Sequence, residues 1–114
     1  MDLKITENKP KANTAVLSVE GRLNAVTASE LKAKIKKLVS EGDIHLILEL
    51  AGVTFIDSSG LSAIVSGLKT TREENGSLKL VGLSDKTKRV FDLTRLARVF
   101  EFYPNVDDAL AASS

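Results

Sequence analysis

Cysteine and tryptophan are absent from the 114 residues, and the aromatic side chains are limited to four phenylalanines and one tyrosine. Without cysteine the chain can form no disulfide and offers no thiolate, a composition compatible with a reducing compartment. The aromatic side chains are not interleaved with basic residues, as a base-stacking surface requires. Sixteen Lys and Arg residues nearly balance fifteen Asp and Glu residues, so the net charge of +1 gives no strong field toward phosphate backbones. Nucleic acid is therefore not an expected partner.

Long apolar runs are also absent. The segment Met1–Asn8 lacks the apolar stretch of a signal peptide, and no segment approaches the roughly 20 apolar residues of a membrane-spanning helix. We therefore expect a cytoplasmic protein that does not insert into a membrane. The hydrophobic fraction of 43% is sufficient for a buried core, and no linker or repeat divides residues 1–114. The sequence predicts a single domain.

The residues that catalytic and metal sites require are scarce. His45 is the only histidine and lies within an apolar segment, which favours a structural role and leaves no Ser-His-Asp relay. The paired carboxylates Glu73-Glu74 and Asp107-Asp108 are adjacent on predicted helices, where neighbouring side chains point apart. The glycines match neither a phosphate-binding loop nor a dinucleotide motif. We expect no metal site, no cofactor and no enzymatic activity.

Apolar segments alternate with amphipathic ones, a pattern that predicts an α/β domain with helices packed against a small mixed sheet. Two β-prone segments at the start should form an antiparallel hairpin, with Gly21 at a positive φ. The nearly continuous apolar run Ile44–Leu50 is typical of a central strand buried on both faces, and the next strand should run parallel to it through a right-handed helical crossover. The predicted elements are strands at Leu3–Glu7, Thr14–Glu20, Ile44–Leu50, Ser77–Val81 and Val99–Phe102, and helices that begin near Thr27, Ser58, Ser84 and Val106.

Turn and capping signals mark the ends of these elements. Lys9–Asn13 should be a turn, because it contains proline and asparagine. Thr27 and Glu30 have the spacing of a capping box, and Gly42 should end the helix that begins there. Further expected ends are Asn75-Gly76 after the second helix, Asn105 or Asp107 before the last helix, and a frayed terminus at Ala111–Ser114.

The stretch Asp57-Ser58-Ser59-Gly60 joins the central strand to the second helix. Asp and Ser are common where helices begin, because their oxygens accept hydrogen bonds from the first backbone N–H groups. A simple cap is therefore one interpretation. One oxygen is sufficient for capping, however, and this stretch supplies three such side chains at the carboxyl end of a buried strand, where open α/β sheets place their functional sites.

The second helix divides into a buried and an open side. Its apolar residues fall at the spacing of a core-facing stripe, which includes Leu61, Ile64, Val65 and Leu68. At about 100° per residue, Ser62 and Ser66 lie on the far side, while Ser58, Val65 and Lys69 lie along the border. The first two turns thus present small hydroxyl side chains that would let a partner approach closely.

Three segments, in the same order along the chain, resemble the STAS domains and in particular the bacterial anti-sigma factor antagonists. Val53–Leu61, with Asp57-Ser58-Ser59-Gly60-Leu61, resembles the family signature. Gly21–Ala28 resembles the family's first strand-to-helix loop, and Lys88–Leu93 its third helix. The resemblance therefore spans nearly the whole chain and implies a STAS fold.

The resemblance implies a partner-switching regulator. Unphosphorylated family members bind an anti-sigma factor that is also a serine kinase and so release a sigma factor, until phosphorylation ends binding and a serine phosphatase reverses it. The phosphorylated position corresponds to Ser58, with Ser59 as a secondary candidate, in a monomer or weak dimer. An alternative is a STAS subunit of a stressosome or of a lipid-transport ABC system. The expected partner-binding residues are Asn24, Thr27, Asp57, Ser58, Ser59, Gly60, Leu61, Ser62, Val65 and Ser66.

Three positions depart from the family pattern. Asn24 stands where Asp is common, so one interface carboxylate is missing. Ser62 replaces a common Gly, which is a conservative change. Arg95 stands where a Gly often ends the third helix, and a left-handed backbone there would cost about 1 kcal/mol for any residue with a Cβ.

Overall fold

The computed structural model describes residues 3–112. Five strands and four helices alternate after an initial hairpin, as the sequence pattern predicts. The strands are β1 (Leu3–Lys11), β2 (Thr14–Leu23), β3 (His45–Ile56), β4 (Ser77–Val81) and β5 (Glu101–Tyr103). The helices are α1 (Ala28–Ser40), α2 (Ser58–Glu73), α3 (Asp85–Leu93) and α4 (Val106–Ala112), with a 3-10 turn at Leu96–Arg98.

The strands form one mixed sheet in the order β1-β2-β3-β4-β5. β1 is antiparallel to β2, and all other neighbouring pairs are parallel. β3 is therefore the central strand and is connected to β4 through α2, which confirms the predicted crossover unit. Leu46 and Leu48 on this strand are 1% and 0% exposed.

The two faces of the sheet are covered unequally. Leu48 of β3 belongs to the main core, together with the buried stripes of α1 and α2 and with Phe91 of α3. Ile47, on the opposite face, packs in a small second cluster with Ala109 of α4. The prediction that the central strand is buried on both faces is confirmed where α4 covers it.

The hairpin and the strand ends differ from the predicted boundaries. The predicted turn Lys9–Asn13 is wrong in part, because β1 continues through Pro10 on the outer edge of the sheet, where a missing N–H is tolerated. The turn is confined to Ala12 and Asn13, and Asn13 has a φ of 61°. β2 and β3 extend to Leu23 and Ile56, beyond the predicted ends at Glu20 and Leu50. Gly21 has the expected positive φ.

The last strand is displaced from its predicted position. β5 covers Glu101–Tyr103, whereas Val99 closes the 3-10 turn and lies outside the sheet. α4 begins at Val106 as predicted, and its cap is Asn105, whose Oδ1 accepts a hydrogen bond from the Asp108 N–H at 2.8 Å. Of the terminus expected to fray, Ala111–Ala112 are the end of α4, and residues 113–114 lie outside the described residues.

α2 ends before Asn75-Gly76, as predicted, but the left-handed residue is the asparagine and not the glycine. Asn75 takes the left-handed conformation, with a φ of 63°, and its N–H donates to the Arg72 carbonyl at 3.0 Å. The Gly76 N–H donates to the Thr71 carbonyl at 2.8 Å, which completes a Schellman motif. Gly76 is needed for another reason: a Cβ at this position would overlap the backbone of Ile44. The equivalent turn after α1 uses Gly42, as predicted, with a φ of 100°.

A strained residue follows the end of α3. Arg95 has a φ of 64°, in the left-handed region. This is the conformation expected where the family pattern often has glycine. Thr94 Oγ1 donates to the Val90 carbonyl at 2.9 Å and fixes the residue just before it. The geometry is therefore kept although the residue is not glycine.

We expect Arg95→Gly to raise the free energy of unfolding by about 0.5 kcal/mol, because relief of the left-handed strain exceeds the entropy lost by glycine. Urea unfolding monitored by circular dichroism measures this. The matched control is Arg98→Gly, since Arg98 is also exposed but its φ is not positive; this variant should be less stable than the parent chain. Equal destabilisation by both substitutions would contradict the account.

Candidate functional site

The carboxyl ends of β2 and β3 bring two loops together. Leu23 and Ile56 are register partners at the ends of these strands, and the Asp57 N–H donates to the Leu23 carbonyl at 3.2 Å. The loop that follows β2 therefore lies beside the start of α2. The first strand-to-helix loop and the Asp57–Gly60 stretch form one edge of the domain.

Asp57 caps α2. Its backbone is extended, and its Oδ1 accepts a hydrogen bond from the Gly60 N–H at 3.0 Å. Neither Ser58 Oγ nor Ser59 Oγ has a hydrogen-bond partner within residues 3–112, so Asp57 alone performs the capping. Ser58 is exposed and Ser59 is half-buried. Two hydroxyl groups at the helix N-terminus are thus left available for chemistry or for contact with a partner.

Gly60 allows α2 to begin directly against β2. A Cβ at this position would lie 2.5 Å from the Leu23 carbonyl oxygen and 2.9 Å from the Leu23 side chain. Both neighbours belong to a fully buried residue, so they have no room to move. The glycine therefore fixes how closely the helix start approaches the sheet.

The loop after β2 is held by its own side chains. Asn24 Oδ1 accepts hydrogen bonds from the backbone N–H groups of Val26 and Thr27, at 3.0 and 3.1 Å. The Ala28 N–H donates to the Asn24 carbonyl at 2.8 Å. Asn24 therefore performs the role of the cap before α1.

The predicted capping box is wrong. Thr27 precedes α1 with a helical backbone and makes no side-chain cap hydrogen bond. Its Oγ1 instead donates to the Arg22 carbonyl at 2.7 Å and accepts from the Asn24 N–H at 2.9 Å. Thr27 is 2% exposed. It therefore shapes the loop from within.

The ten expected partner-binding residues differ in exposure. Ser58, Ser62 and Val65 are exposed. Val65, at 37%, lies along the border of the buried stripe, as the helix angles predicted, and not within it. The half-buried members are Asn24, Asp57, Ser59 and Ser66, and the buried ones are Thr27, Gly60 and Leu61. The buried members set the shape of the surface, while the exposed and half-buried ones form it.

Ser58 and Ser59 face different grooves. Ser58 lines a shallow groove of about 470 Å³ between α2 and the 3-10 turn; the other lining residues are Leu61, Ser62, Val65, Ser66, Lys69 and Leu96. Ser59 lines a groove on the other side of α2, facing α1, with Lys32 and Ser62 among its lining residues. Leu96 was missed by sequence reasoning, because it reaches the site from an element 38 residues beyond Ser58 and no local pattern marks it.

His45 lies at the opposite end of β3 from Asp57. It is half-buried, and its Nδ1 lies 2.9 Å from Ser77 Oγ at the start of β4. A catalytic relay with Ser58 is therefore out of reach. Within residues 3–112 no group of three or more His, Cys, Asp or Glu side chains is placed to hold a metal ion.

Shifted pKa values occur at surface ion pairs and hydrogen bonds of the edge strands. A hydrogen bond from Lys34 lowers the pKa of Glu7, and a hydrogen bond to Asp43 raises the pKa of Lys9. On β5, the hydrogen bond to Glu101 raises the pKa of Tyr103. Lys9 and Asp43, whose charged atoms are 3.0 Å apart, lie near the amino end of β3, across the domain from Ser58.

No helix within residues 3–112 is long and apolar enough to span a membrane, and the longest, α2, has 16 residues.

Comparison with known proteins identifies relatives along most of the chain. The family model for the STAS domain matches residues 5–109. The anti-sigma-B factor antagonist of Bacillus subtilis is 32% identical over 102 residues, which cover 89% of this chain and 87% of that protein. The protein of the same name from Listeria monocytogenes is 30% identical over 101 residues, 89% of each chain. The crystal structure of an anti-sigma factor antagonist from Mycobacterium paratuberculosis superposes with a TM-score of 0.85 at 30% identity, covering 96% of this chain and 92% of that one.

We expect Asp57→Ala to lower the free energy of unfolding by about 1 kcal/mol, because the Gly60 N–H loses its acceptor. Asp57→Asn keeps an accepting oxygen and should lose less. Ser58→Ala, a control at the next residue, removes no hydrogen bond and should stay within about 0.5 kcal/mol. Urea unfolding measures all three, and equal losses for Ala and Asn at position 57 would show that the cap does not stabilise the helix start.

Proposed function

The chain belongs to the STAS domain family, and on that basis we propose that it acts as an anti-sigma factor antagonist whose binding is switched by phosphorylation of Ser58. The observation that carries the proposal is that capping and exposure belong to different side chains at the start of α2. Asp57 supplies the cap, and the Ser58 hydroxyl is exposed without a hydrogen-bond partner in residues 3–112. A kinase can therefore reach Ser58 without opening the helix.

The partner we propose is an anti-sigma factor that is also a serine kinase. In the transfer step, Ser58 Oγ forms a bond to the γ-phosphorus of ATP while the bond to the β–γ bridging oxygen breaks. ADP leaves and the hydroxyl proton is released. A serine phosphatase would hydrolyse the phosphoester with water and restore the hydroxyl. The chain itself is a substrate and a ligand in this cycle and acts as a regulator, not as an enzyme.

A phosphate on Ser58 meets two opposing electrostatic effects. It adds about −1.5 to −2 charges at the N-terminus of α2, where the helix dipole favours an anion by roughly 0.3–1 kcal/mol. The neighbouring Asp57 carboxylate repels it. Because these effects nearly cancel and Ser58 is exposed, the fold should tolerate the modification.

The phosphate acts instead at the interface. The groove beside Ser58 is lined by small hydroxyls and apolar side chains, and Lys69 is the one charged residue in this lining. A partner that packs closely on this surface would have to desolvate a dianion without matched donors, which costs several kcal/mol. Each 1.4 kcal/mol changes a binding constant about tenfold, so this penalty is sufficient to dissociate a complex.

The names of the sequence relatives favour this function over a stressosome or lipid-transport subunit. Asn24 is the departure that bears on partner choice. Its Oδ1 is occupied by the Val26 and Thr27 N–H groups, so the amide supports the loop in the way a carboxylate would. The missing charge should therefore affect electrostatic attraction to the partner more than the shape of the loop. A chain that acts as a monomer or weak dimer would leave this edge free for the kinase.

Phosphorylation is tested with a serine kinase of the histidine-kinase-like ATPase type. After incubation with ATP, intact mass and phosphosite mapping should show one phosphate on Ser58 of the parent chain. Ser58→Ala should accept none and stay bound to the kinase. Ser58→Asp should bind more weakly, although one carboxylate carries less charge than phosphate. Undiminished phosphorylation of Ser58→Ala would show that Ser58 is not the phosphorylated residue. Ser59, on the α1 side, would then be the next residue to examine.

Binding is tested by Ser62→Arg. Ser62 is exposed and lines the grooves on both sides of α2, so a long cationic side chain there should block a closely packed partner. Affinity for the kinase should fall at least tenfold in calorimetry, while the free energy of unfolding stays within about 1 kcal/mol, as is usual for surface changes. Ser40→Arg, at the end of α1 on the opposite side of the domain, is the matched control and should bind normally. Unchanged affinity of Ser62→Arg would remove this face from the interface.

A further inference from the structure

The groove beside Ser58 continues along α2 into a second groove, which we call the distal groove. Its lining residues are Val65, Leu68, Lys69, Arg72, Glu73, Leu96 and Val99. Val65, Lys69 and Leu96 line both grooves, so the two surfaces are continuous. A partner seated over Ser58 would therefore border the distal groove.

The distal groove exposes apolar side chains that the core does not cover. Val65 is 37% exposed and Val99 is 44% exposed. Leu96 is half-buried and packs on the main core, which anchors the 3-10 turn opposite α2. Arg72 Nη2 also donates to the Val99 carbonyl, at 3.4 Å, and links the two walls. These contacts hold the two walls of the groove together.

The charges around the groove are mainly positive. Lys69 and Arg72 line it against a single carboxylate, Glu73. Arg98, in the adjoining 3-10 turn, is exposed, and within residues 3–112 none of these three cations forms a salt bridge. Cations that form no salt bridge, beside exposed valines, fit a segment that carries both acidic and apolar side chains.

Arg95 is a separate observation on the 3-10 turn that forms one wall of the groove. It precedes Leu96 in a left-handed conformation, which glycine would adopt without strain. Its side chain is exposed and makes no salt bridge within residues 3–112. Backbone strain of this kind is often kept at functional positions, so it points to a use for this exposed side chain.

From these observations we propose that the distal groove is a second docking surface for the same anti-sigma factor and takes an acidic segment of it with apolar anchor residues. The proposal rests on the proposed function. A stable interface has roughly 20–30 residues on each side, many more than the seven that line the groove beside Ser58, so the contact must extend beyond it. The distal groove extends the groove beside Ser58 with further apolar side chains. Its positively charged rim favours a partner segment of negative charge.

The proposal is tested by calorimetry with the same anti-sigma kinase and four variants. Val99→Asp and Arg72→Glu should each lower affinity at least tenfold, and Arg72→Glu should also weaken the dependence of affinity on salt. Lys37→Glu is matched to Arg72→Glu, because both are exposed cations in the last turn of a helix; it should change affinity less than twofold. Arg95→Gly should raise the thermal midpoint yet lower affinity at least threefold, a combination that a purely structural role would not produce.

The outcomes separate the two proposals. If the parent chain does not bind the kinase, the proposed function fails. If it binds and Ser62→Arg weakens binding while the distal variants do not, only the docking surface is overturned. Equal losses of affinity for Arg72→Glu and Lys37→Glu would show that only the net charge of the chain matters. That result would also overturn the docking surface. A dimer of the parent chain in sedimentation velocity that Val99→Asp dissociates would assign the groove to a second copy of this chain, against the proposal.

Discussion

The close approach of α2 to the end of β2 is the constraint on which the site depends. Gly60 places the helix start so near the Leu23 carbonyl that no side chain fits between them. The hydrogen bond from the Asp57 N–H to the same carbonyl fixes the direction of the turn. Consequently, the two loops at this edge share one surface, and the first turn of α2 points its hydroxyls outward.

In the proposed switch, capping and phosphorylation belong to different side chains at this edge. A carboxylate that must hold the helix start cannot also be modified, and a serine that capped the helix would lose its hydrogen bond when phosphorylated. With Asp57 as the cap, Ser58 is free of that structural duty. This separation explains how a charge of about −2 could be added at a helix terminus and be read by a partner while the core keeps its packing.

Periodicity and composition predicted the sheet, its central strand and the position of α2, because those features depend on burial patterns within short segments. Two of the errors occur where a residue bonds to or packs against a group outside its own helix. Thr27 has the sequence spacing of a capping residue, but its hydroxyl donates to the Arg22 carbonyl. Gly76 is needed because the backbone of Ile44 lies so close to it, and Asn75 takes the left-handed position. Leu96 lines both grooves from a separate element, and no local pattern could reveal it.

The central claim is that a phosphate on Ser58 changes an interface and leaves the fold intact. Amide chemical shifts and hydrogen exchange of the chain before and after enzymatic phosphorylation test it most directly. The account predicts shift changes confined to residues 24–27 and the first two turns of α2, with the exchange rates of Leu46 and Leu48 in the central strand unchanged. Faster exchange throughout β3 on phosphorylation would show that the modification acts by loosening the core, and would contradict the account.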